Sequence, residues 1–341
     1  AASLERSGPA VVGRRLRRLL PPLWVVAVVF VPPMILFGLP VTWRLVYWIL
    51  PLGDPPTNAW GAIALSIIWY LRDYLWFVLV SPVAWGLFRR WPLPALVAPY
   101  LLLVVVELGF PGAPIVLRDF GLYFGAWLLG FAHHAGMLRR TPRLVLLPLA
   151  ATLAALGAAW LFTHPGPRGF DLNDNRFGNA LWSAAFVLVV LGLAPAGAAW
   201  VDRTAWFGRV VTLFNRRAVT IYLWHMPFVA AVTPLVGVFG WTHTDPVGLA
   251  VRVLLVFALV GVVVLLFGWV EDLASGRRPT LLPGLRADRP GREQADRPAL
   301  PDQPALPDQA DQPDQPARAA ASTRLAETHA RTSRVEAGQR R

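Results

Sequence analysis

The chain has 341 residues, of which 55% are hydrophobic and 15% are charged, and it contains 16 Trp and no Cys. Soluble domains carry about 25% charged residues, so this composition indicates an integral membrane protein and excludes disulfides and Cys-based metal sites within these residues. All 32 basic residues are Arg, and the net charge is +12. Because the arginines lie at the ends of apolar segments and not in one continuous patch, binding to nucleic acid is disfavoured.

Eight apolar segments are long enough for a transmembrane helix, which needs about 20 residues. They cover residues 22–39, 73–89, 94–110, 119–137, 144–163, 178–197, 218–238 and 247–270. The predicted fold class is therefore all-α, a polytopic transmembrane helix bundle of about eight spans. Two further apolar stretches, 41–53 and 58–70, are interrupted by polar residues and prolines, and we expect them to be interfacial or re-entrant.

The positions of the arginines predict the orientation in the membrane. If the spans alternate in direction, most arginines fall in one set of connections, at residues 6–18, 89–90, 139–143 and 203–217. Positively charged connections face the cytoplasm. We therefore expect a multi-pass plasma-membrane protein with both termini of this chain in the cytoplasm.

Three regions follow from these patterns. Residues 1–21 are an Arg-rich cytosolic entry, and residues 22–270 form the transmembrane domain. Residues 271–341 are rich in Pro, Asp, Gln and Arg, too polar to build a core, and are predicted to be a disordered cytosolic tail.

The first candidate binding site is the arginine segment just before the first predicted span, which contains Arg14, Arg15, Arg17 and Arg18. Arginines at a helix end set topology and contact anionic lipids. Guanidinium groups also bind phosphate oxygens bidentately, and acyl-coenzyme A is a cytosolic ligand with several phosphates. The residues alone leave both interpretations open.

The segment Tyr70–Phe77 contains Arg72, Asp73 and Trp76, which are candidate substrate contacts. Adjacent residues on a helix point about 100° apart. We therefore expect Arg72 and Asp73 to find partners elsewhere, substrate included. For Glu107 and Arg252, both near span ends, we expect a structural ion pair.

His225 lies seven residues into its span, and Tyr222 shares its helix face. An ionisable group inside a membrane segment is a candidate functional residue, so both are catalytic candidates. A structural His bonded to a neighbouring helix is the alternative. His133 and His134 lack the i, i+3 or i+4 spacing of a helical metal pair, so no metal site is predicted.

Four motifs occur in a recognisable order: Arg-Arg-Leu-Arg-Arg-Leu-Leu-Pro at 14–21, Leu-Trp-Phe at 75–77, Phe-Gly-Ala-Trp-Leu-Leu-Gly-Phe at 124–131, and the Tyr-Leu-Trp-His core of 218–227. Together they resemble the acyltransferase-three family of bacterial integral-membrane O-acyltransferases, over about residues 10–270. The Arg-only composition is similar to that of actinobacterial members.

The resemblance implies a bundle of about ten helices. It also implies transfer of an acyl group, commonly acetyl, from cytosolic acyl-CoA to a hydroxyl of a glycan, a lipid-linked sugar or a secondary metabolite, as in O-acetylation of the cell envelope. The family's Arg-x-x-Arg pair for the coenzyme corresponds to Arg15 and Arg18. His225 and Tyr222 would then line or order the path through the bundle. The implied partners are the lipid bilayer and the acceptor.

One family feature has no match in these residues. The family's essential His, preceded by an Arg, lies on its first membrane helix, where it would act as general base. We therefore expect two helices upstream of Ala1, and we expect this chain alone to be inactive. The rival functions are a transporter or flippase of an amphiphile, and an inactive relative; consumption of acyl-CoA separates them from the enzyme.

Overall fold

A computed structural model describes residues 2–193, 205–241 and 245–281. Over these ranges the chain forms α-helices and two short 3-10 helices, Trp43–Trp48 and Leu172–Asp174, and no strands. The α-helices are α1 (Ala2–Leu36), α2 (Ala59–Ala64), α3 (Ile68–Arg90), α4 (Pro92–Gly109), α5 (Ile115–His134), α6 (Met137–Arg140), α7 (Arg143–Thr163), α8 (Arg176–Leu193), α9 (Ala205–Arg216), α10 (Ala218–Val238) and α11 (Pro246–Ala274).

Seven of these helices are long and apolar enough to cross a membrane: α1 from Ala10 onward, α4, α5, α7, α8, α10 and α11. The remaining predicted span lies on α3, which has 23 residues and carries Arg72 and Asp73 near its start. Many large apolar side chains on the outside of the bundle are exposed, such as Leu108 and Leu254. The predicted class, an all-α polytopic membrane bundle, is confirmed.

The stretches 41–53 and 58–70 contain no spanning helix and hold only the first 3-10 helix, α2 and the first turn of α3. Helix α11 continues to Ala274, past the predicted end of the transmembrane domain. The end of the predicted span 178–197 and the predicted tail beyond residue 281 lie outside the described residues.

Glycines allow several helices to pack closely. A Cβ atom at Gly121 of α5 would lie 3.0 Å from the backbone of Leu103 in α4, and one at Gly157 of α7 would lie 3.0 Å from the carbonyl oxygen of Gly178 in α8. Small residues at such contacts let helix backbones approach in a bilayer. Helices α4, α5, α7 and α8 are thereby joined pairwise.

Helix α1 forms a hydrophobic core with α10 and α11. Leu23 and Val26 of α1 are fully buried and belong to one cluster with Leu223 and Trp224 of α10 and Val263 of α11. The start of α3 packs on the same cluster through Ile68 and Leu71. The arginine segment of α1 therefore lies beside α3, α10 and α11.

The expected ion pair between Glu107 and Arg252 is wrong. Glu107 pairs with Arg118 at 3.0 Å and with Arg176 at 3.6 Å, while Arg252 donates to the carbonyl oxygen of Trp241 at 3.0 Å. Glu107 lies in the last turn of α4, and the short loop that follows brings the first turn of α5, with Arg118, against it.

Candidate functional site

The arginine segment of α1 lines a cavity of about 600 Å³. The remaining lining comes from α3 and α10, so three helices distant in sequence enclose the space. The polar lining residues are Arg14, Arg15, Arg18, Tyr70, Tyr74 and Tyr222. The structure thus brings together two predicted groups, the coenzyme arginines and Tyr222.

Helix geometry separates Arg17 from the other three arginines. At about 100° per residue, Arg14, Arg15 and Arg18 fall within an arc of about 100°, and Arg17 lies about 60° outside it. Accordingly, Arg17 is exposed and does not line the cavity. Arg15 donates from Nη1 to the hydroxyl of Tyr74, which holds it against the α3 wall.

Arg18 is held by a buried carboxylate from the far end of the sequence. Its Nη2 donates to the carbonyl oxygen of Asn215 at 2.9 Å and to Oε1 of Glu271 at 3.3 Å. Glu271 is fully buried, and its Oε2 also accepts from the backbone N–H and the hydroxyl of Thr220 at 3.3 and 3.2 Å. Sequence reasoning missed Glu271, although a carboxylate at the end of an apolar span is a usable signal.

A second buried pair lies next to the first. Arg217 donates from Nη2 to Oδ2 of Asp272 at 2.7 Å and to the carbonyl oxygen of Thr280. Thr280 in turn donates its backbone N–H to Asp272 at 3.1 Å. Residues after α11 are therefore tied back to the start of α10.

Arg277 follows α11 close to these two pairs. Burial is the main cause that lowers the pKa of Arg277; the guanidinium groups of Arg216 and Arg18 lower it further, and the carboxylates of Asp272 and Glu271 act in the opposite direction.

Arg72 is almost completely buried and contacts three carboxylates. Its Nε donates to Oδ1 of Asp73 at 2.9 Å, its Nη1 to Oδ1 of Asp54 at 2.5 Å, and its Nη2 to Oδ2 of Asp119. Arg72 therefore finds partners elsewhere, Asp54 and Asp119, as expected, but it also pairs with Asp73, which was not expected. The Arg side chain is long enough for Nε to reach its neighbour, and a buried carboxylate requires a nearby cation.

Arg72 also lines a second cavity, of about 320 Å³, with Asp54, Asp119 and Trp69. The other two predicted substrate residues are not in its lining. Asp73 is buried behind Arg72, and Trp76 donates from Nε1 to the carbonyl oxygen of Leu52 at 3.0 Å.

Helix α3 is the wall between the two cavities. Tyr70, Leu71 and Tyr74 face the arginine cavity, whereas Trp69 and Arg72 face the acidic one. The arginine pattern predicts opposite membrane faces for Arg15 and Arg72. However, Arg15 bonds Tyr74, and Tyr74 is two residues after Arg72, which is about 3 Å along the helix axis. The two sites are neighbours across one helix.

His225 lies behind the cavity wall and does not line it. Its Nδ1 donates to the carbonyl oxygen of Tyr222 at 2.6 Å. Because a carbonyl oxygen only accepts, Nδ1 carries the proton in the neutral ring and Nε2 keeps its lone pair. The hydroxyl of Tyr222 donates to the carbonyl oxygen of Ile67 at 2.7 Å, which fixes the phenol between α10 and α3.

The described residues contain no group of three or more His, Cys, Asp or Glu side chains placed to hold a metal ion. His133 and His134 form the last turn of α5. His134 packs against the ring of Trp85, with 6.0 Å between the ring centroids.

Fold and cavity together define a multi-pass membrane protein with an arginine-lined cavity between its helices. Residues 2–270 match the acyltransferase-three family model, described as an acyltransferase domain. The chain belongs to this family, and its membership indicates acyltransferase activity. Comparison with curated proteins and with solved structures gave no match.

Proposed function

We propose that the protein transfers an acyl group, acetyl in the first instance, from acyl-CoA to a hydroxyl of a glycan, a lipid-linked sugar or a secondary metabolite. The observation that carries this proposal is the cavity in which Arg14, Arg15 and Arg18 converge with Tyr222. The coenzyme is a polyanion, and guanidinium groups form short, charge-assisted bonds to phosphate oxygens.

The arginines have different roles in this proposal. Arg14 and Arg15 are exposed at the cavity rim, where they can meet phosphates. Arg18 is half-buried and oriented by Glu271, so its direction is set before the ligand arrives. Such preorganisation lowers the cost of ordering side chains on binding.

The reaction joins the acceptor hydroxyl oxygen to the thioester carbonyl carbon. The carbon–sulfur bond breaks, an ester forms, and the coenzyme leaves as a thiol after taking up the hydroxyl proton. A general base that removes this proton contributes typically 10² to 10⁴ in rate, and the resemblance assigns that base to a His with no match in these residues. We assign Tyr222 to the cavity wall beside the thioester, and His225 is a positioning residue that holds the backbone of Tyr222.

We place the acceptor on the other side of α3, at the cavity lined by Arg72. The carboxylates of Asp54 and Asp119 are hydrogen-bond acceptors for hydroxyl groups, and the ring of Trp69 supplies an apolar surface. Asp73 and Trp76 lie outside the lining of this cavity and stabilise it indirectly. Asp73 bonds Arg72, and Trp76 bonds the carbonyl oxygen of Leu52. Donor and acceptor would then meet at the start of α3.

The proposed location is the plasma membrane, with the arginine cavity reached from the cytoplasm and both termini of this chain on that side. This orientation follows from the arginine pattern and from the cytosolic supply of acyl-CoA.

Binding of acetyl-CoA to the purified chain tests the coenzyme site without requiring turnover. In calorimetric titrations, Arg15→Gln and Arg18→Gln are each expected to weaken binding about tenfold, as expected for loss of a charge-assisted bond. Arg17→Gln is the matched control, because it removes the same charge from the same helix outside the lining, and it should change the dissociation constant by no more than about twofold. Equal losses for all three variants would show a general charge effect and contradict the site.

Release of the coenzyme thiol in the intact enzyme tests the reaction. We expect Arg18→Ala to abolish acetyl transfer while membrane insertion is unchanged. Undiminished transfer would remove Arg18 from the coenzyme site.

A further inference from the structure

A wholly apolar cavity of about 460 Å³ lies between α3, α4 and α5, further along α3 than the arginine cavity. Val83 and Leu87 of α3, Ala95 and Ala98 of α4 and Phe124 of α5 belong to its walls. None of its lining residues is polar, so it suits neither the coenzyme nor a sugar.

The cavity opens toward the outside of the bundle. Val83, Leu87 and Ala98 are exposed at its edges, whereas Phe124 and Leu128 are buried at its base. Small side chains at Ala95 and Ala98 keep the space free. The groove is therefore a surface furrow that faces the lipid.

The dimensions of the groove match one leaflet. On α4 its lining runs from Trp91 to Leu102, which at about 1.5 Å per residue is roughly 16 Å. The hydrocarbon core of a bilayer is about 30 Å thick, so the groove spans about half of it.

One end of the groove is positively charged. Trp91 lines that end, and the guanidinium carbon of Arg90 lies 5.0 Å from the centroid of its ring, within cation–π range. Arg90 is exposed, whereas Arg89 lies on the opposite side of α3 from the groove-lining Val83 and Leu87. One cation therefore stands at the mouth of an apolar furrow, the arrangement that an anionic amphiphile complements.

We propose that this groove binds one anionic phospholipid, with a hydrocarbon chain between α3, α4 and α5 and its phosphate on Arg90. The bulk lipid is as apolar as the groove, so the hydrocarbon chain of the bound lipid gains little from burial itself and is held by packing. Selectivity comes from charge, at roughly fivefold in affinity for each arginine near an anionic headgroup. The site is independent of acyl transfer.

Native mass spectrometry of the full chain in detergent tests the proposal. Phosphatidylglycerol and phosphatidylcholine with identical chains are titrated separately. We expect one tightly retained phosphatidylglycerol, bound at least about fivefold more strongly than phosphatidylcholine. The variant Arg90→Gln should lower phosphatidylglycerol binding to the level of phosphatidylcholine.

The variant Arg89→Gln is the matched control, since it removes the neighbouring exposed arginine from the side of α3 that does not line the groove. It should keep the preference. Equal affinities for the two lipids, or an equal loss in this control, would overturn the assignment of the headgroup.

Filling the groove tests whether it binds the hydrocarbon chain of the lipid. Ala98→Trp places a large ring in the furrow and should release both lipids from the tight site. Val83→Trp does the same from the opposite wall, and serves if the first variant does not fold. Unchanged retention of phosphatidylglycerol in a folded, groove-filled variant would overturn the proposal.

Discussion

Arg18 in α1 and Glu271 in α11 are 253 residues apart in the chain, and their charged groups meet at 3.3 Å. The same carboxylate accepts the backbone N–H of Thr220, in the first turn of α10. The first N–H groups of a helix have no partner within it, so Glu271 also caps α10. One buried side chain thus orients a cavity arginine and fixes the helix that carries Tyr222.

Replacement of this carboxylate should destabilise the protein. Glu271→Ala leaves the buried N–H and hydroxyl of Thr220 without an acceptor, and we expect a loss of about 1–3 kcal/mol in the free energy of unfolding. Thermal unfolding in detergent measures it. Glu271→Gln retains an acceptor oxygen and should lose less; equal losses in the two variants would show that bonding to Thr220 is not the cause.

Gly268 of α11 leaves room for the fully buried guanidinium of Arg217. A Cβ atom at Gly268 would lie 2.7 Å from Nε and 2.8 Å from Cδ of Arg217, and Arg217 cannot move far without losing Asp272. We expect Gly268→Ala to cost about 1–3 kcal/mol of stability through overpacking, measured by thermal unfolding.

Gly261 on the same helix supplies the control, because nothing lies within 4 Å of a Cβ atom there. Gly261→Ala should be neutral or stabilising by up to about 1 kcal/mol, the difference in helix propensity. A similar loss at both positions would show that α11 responds to any added methyl group.

Arg72 is the cation in direct contact with the buried carboxylates of Asp73 and Asp119. Arg72→Gln removes this contact from both, and removing one partner of a buried ion pair typically costs about 3–5 kcal/mol. Arg72→Lys should be intermediate, since an ammonium group cannot present three donors in a rigid fork. The measurement is again thermal unfolding.

Asp119→Asn in the Arg72→Gln background removes one uncompensated charge and should recover part of the stability, because residues in contact do not behave additively. A double variant as unstable as the sum of the two single variants would contradict a direct interaction.

The loop between α7 and α8 should respond to acid. Asp174 accepts from three nitrogens of Arg168, the backbone N, Nε and Nη2, and the side-chain bond is the main cause that lowers the pKa of Asp174 below its ordinary 3.8. The folded protein therefore holds this carboxylate ionised to lower pH than the unfolded chain, and its contribution to stability is present above pH 3.8 and is lost as the pH falls further.

Asp174→Asn checks the sign of this effect. The melting temperature of the variant should be lower than that of the wild type near pH 6, and the difference should shrink toward pH 3 as the wild-type carboxylate is protonated. A difference that stays constant with pH would exclude titration of Asp174 as the cause.

The helical class and the membrane segments followed from the sequence. Inside a bilayer each helix must satisfy its own backbone hydrogen bonds, so local hydropathy is enough to locate it, as for α10 at 218–238. Local hydropathy did not locate the start of helix α3 correctly. It begins at Ile68, earlier than the predicted residue 73, because Arg72 and Asp73 neutralise each other inside the protein and need not lie outside the span.

The sequence by itself determined which charged residues lie within or beside the apolar helices, including Arg15, Arg18 and Arg72. Only the tertiary structure decided which of them meet. Charge sign and depth cannot choose among many equivalent partners, so Glu107 was paired wrongly and Glu271 was missed. Helix neighbours are selected by the fit of side chains and glycines along whole helix faces, and that fit places the arginine cavity and the Arg72 cluster on two sides of α3.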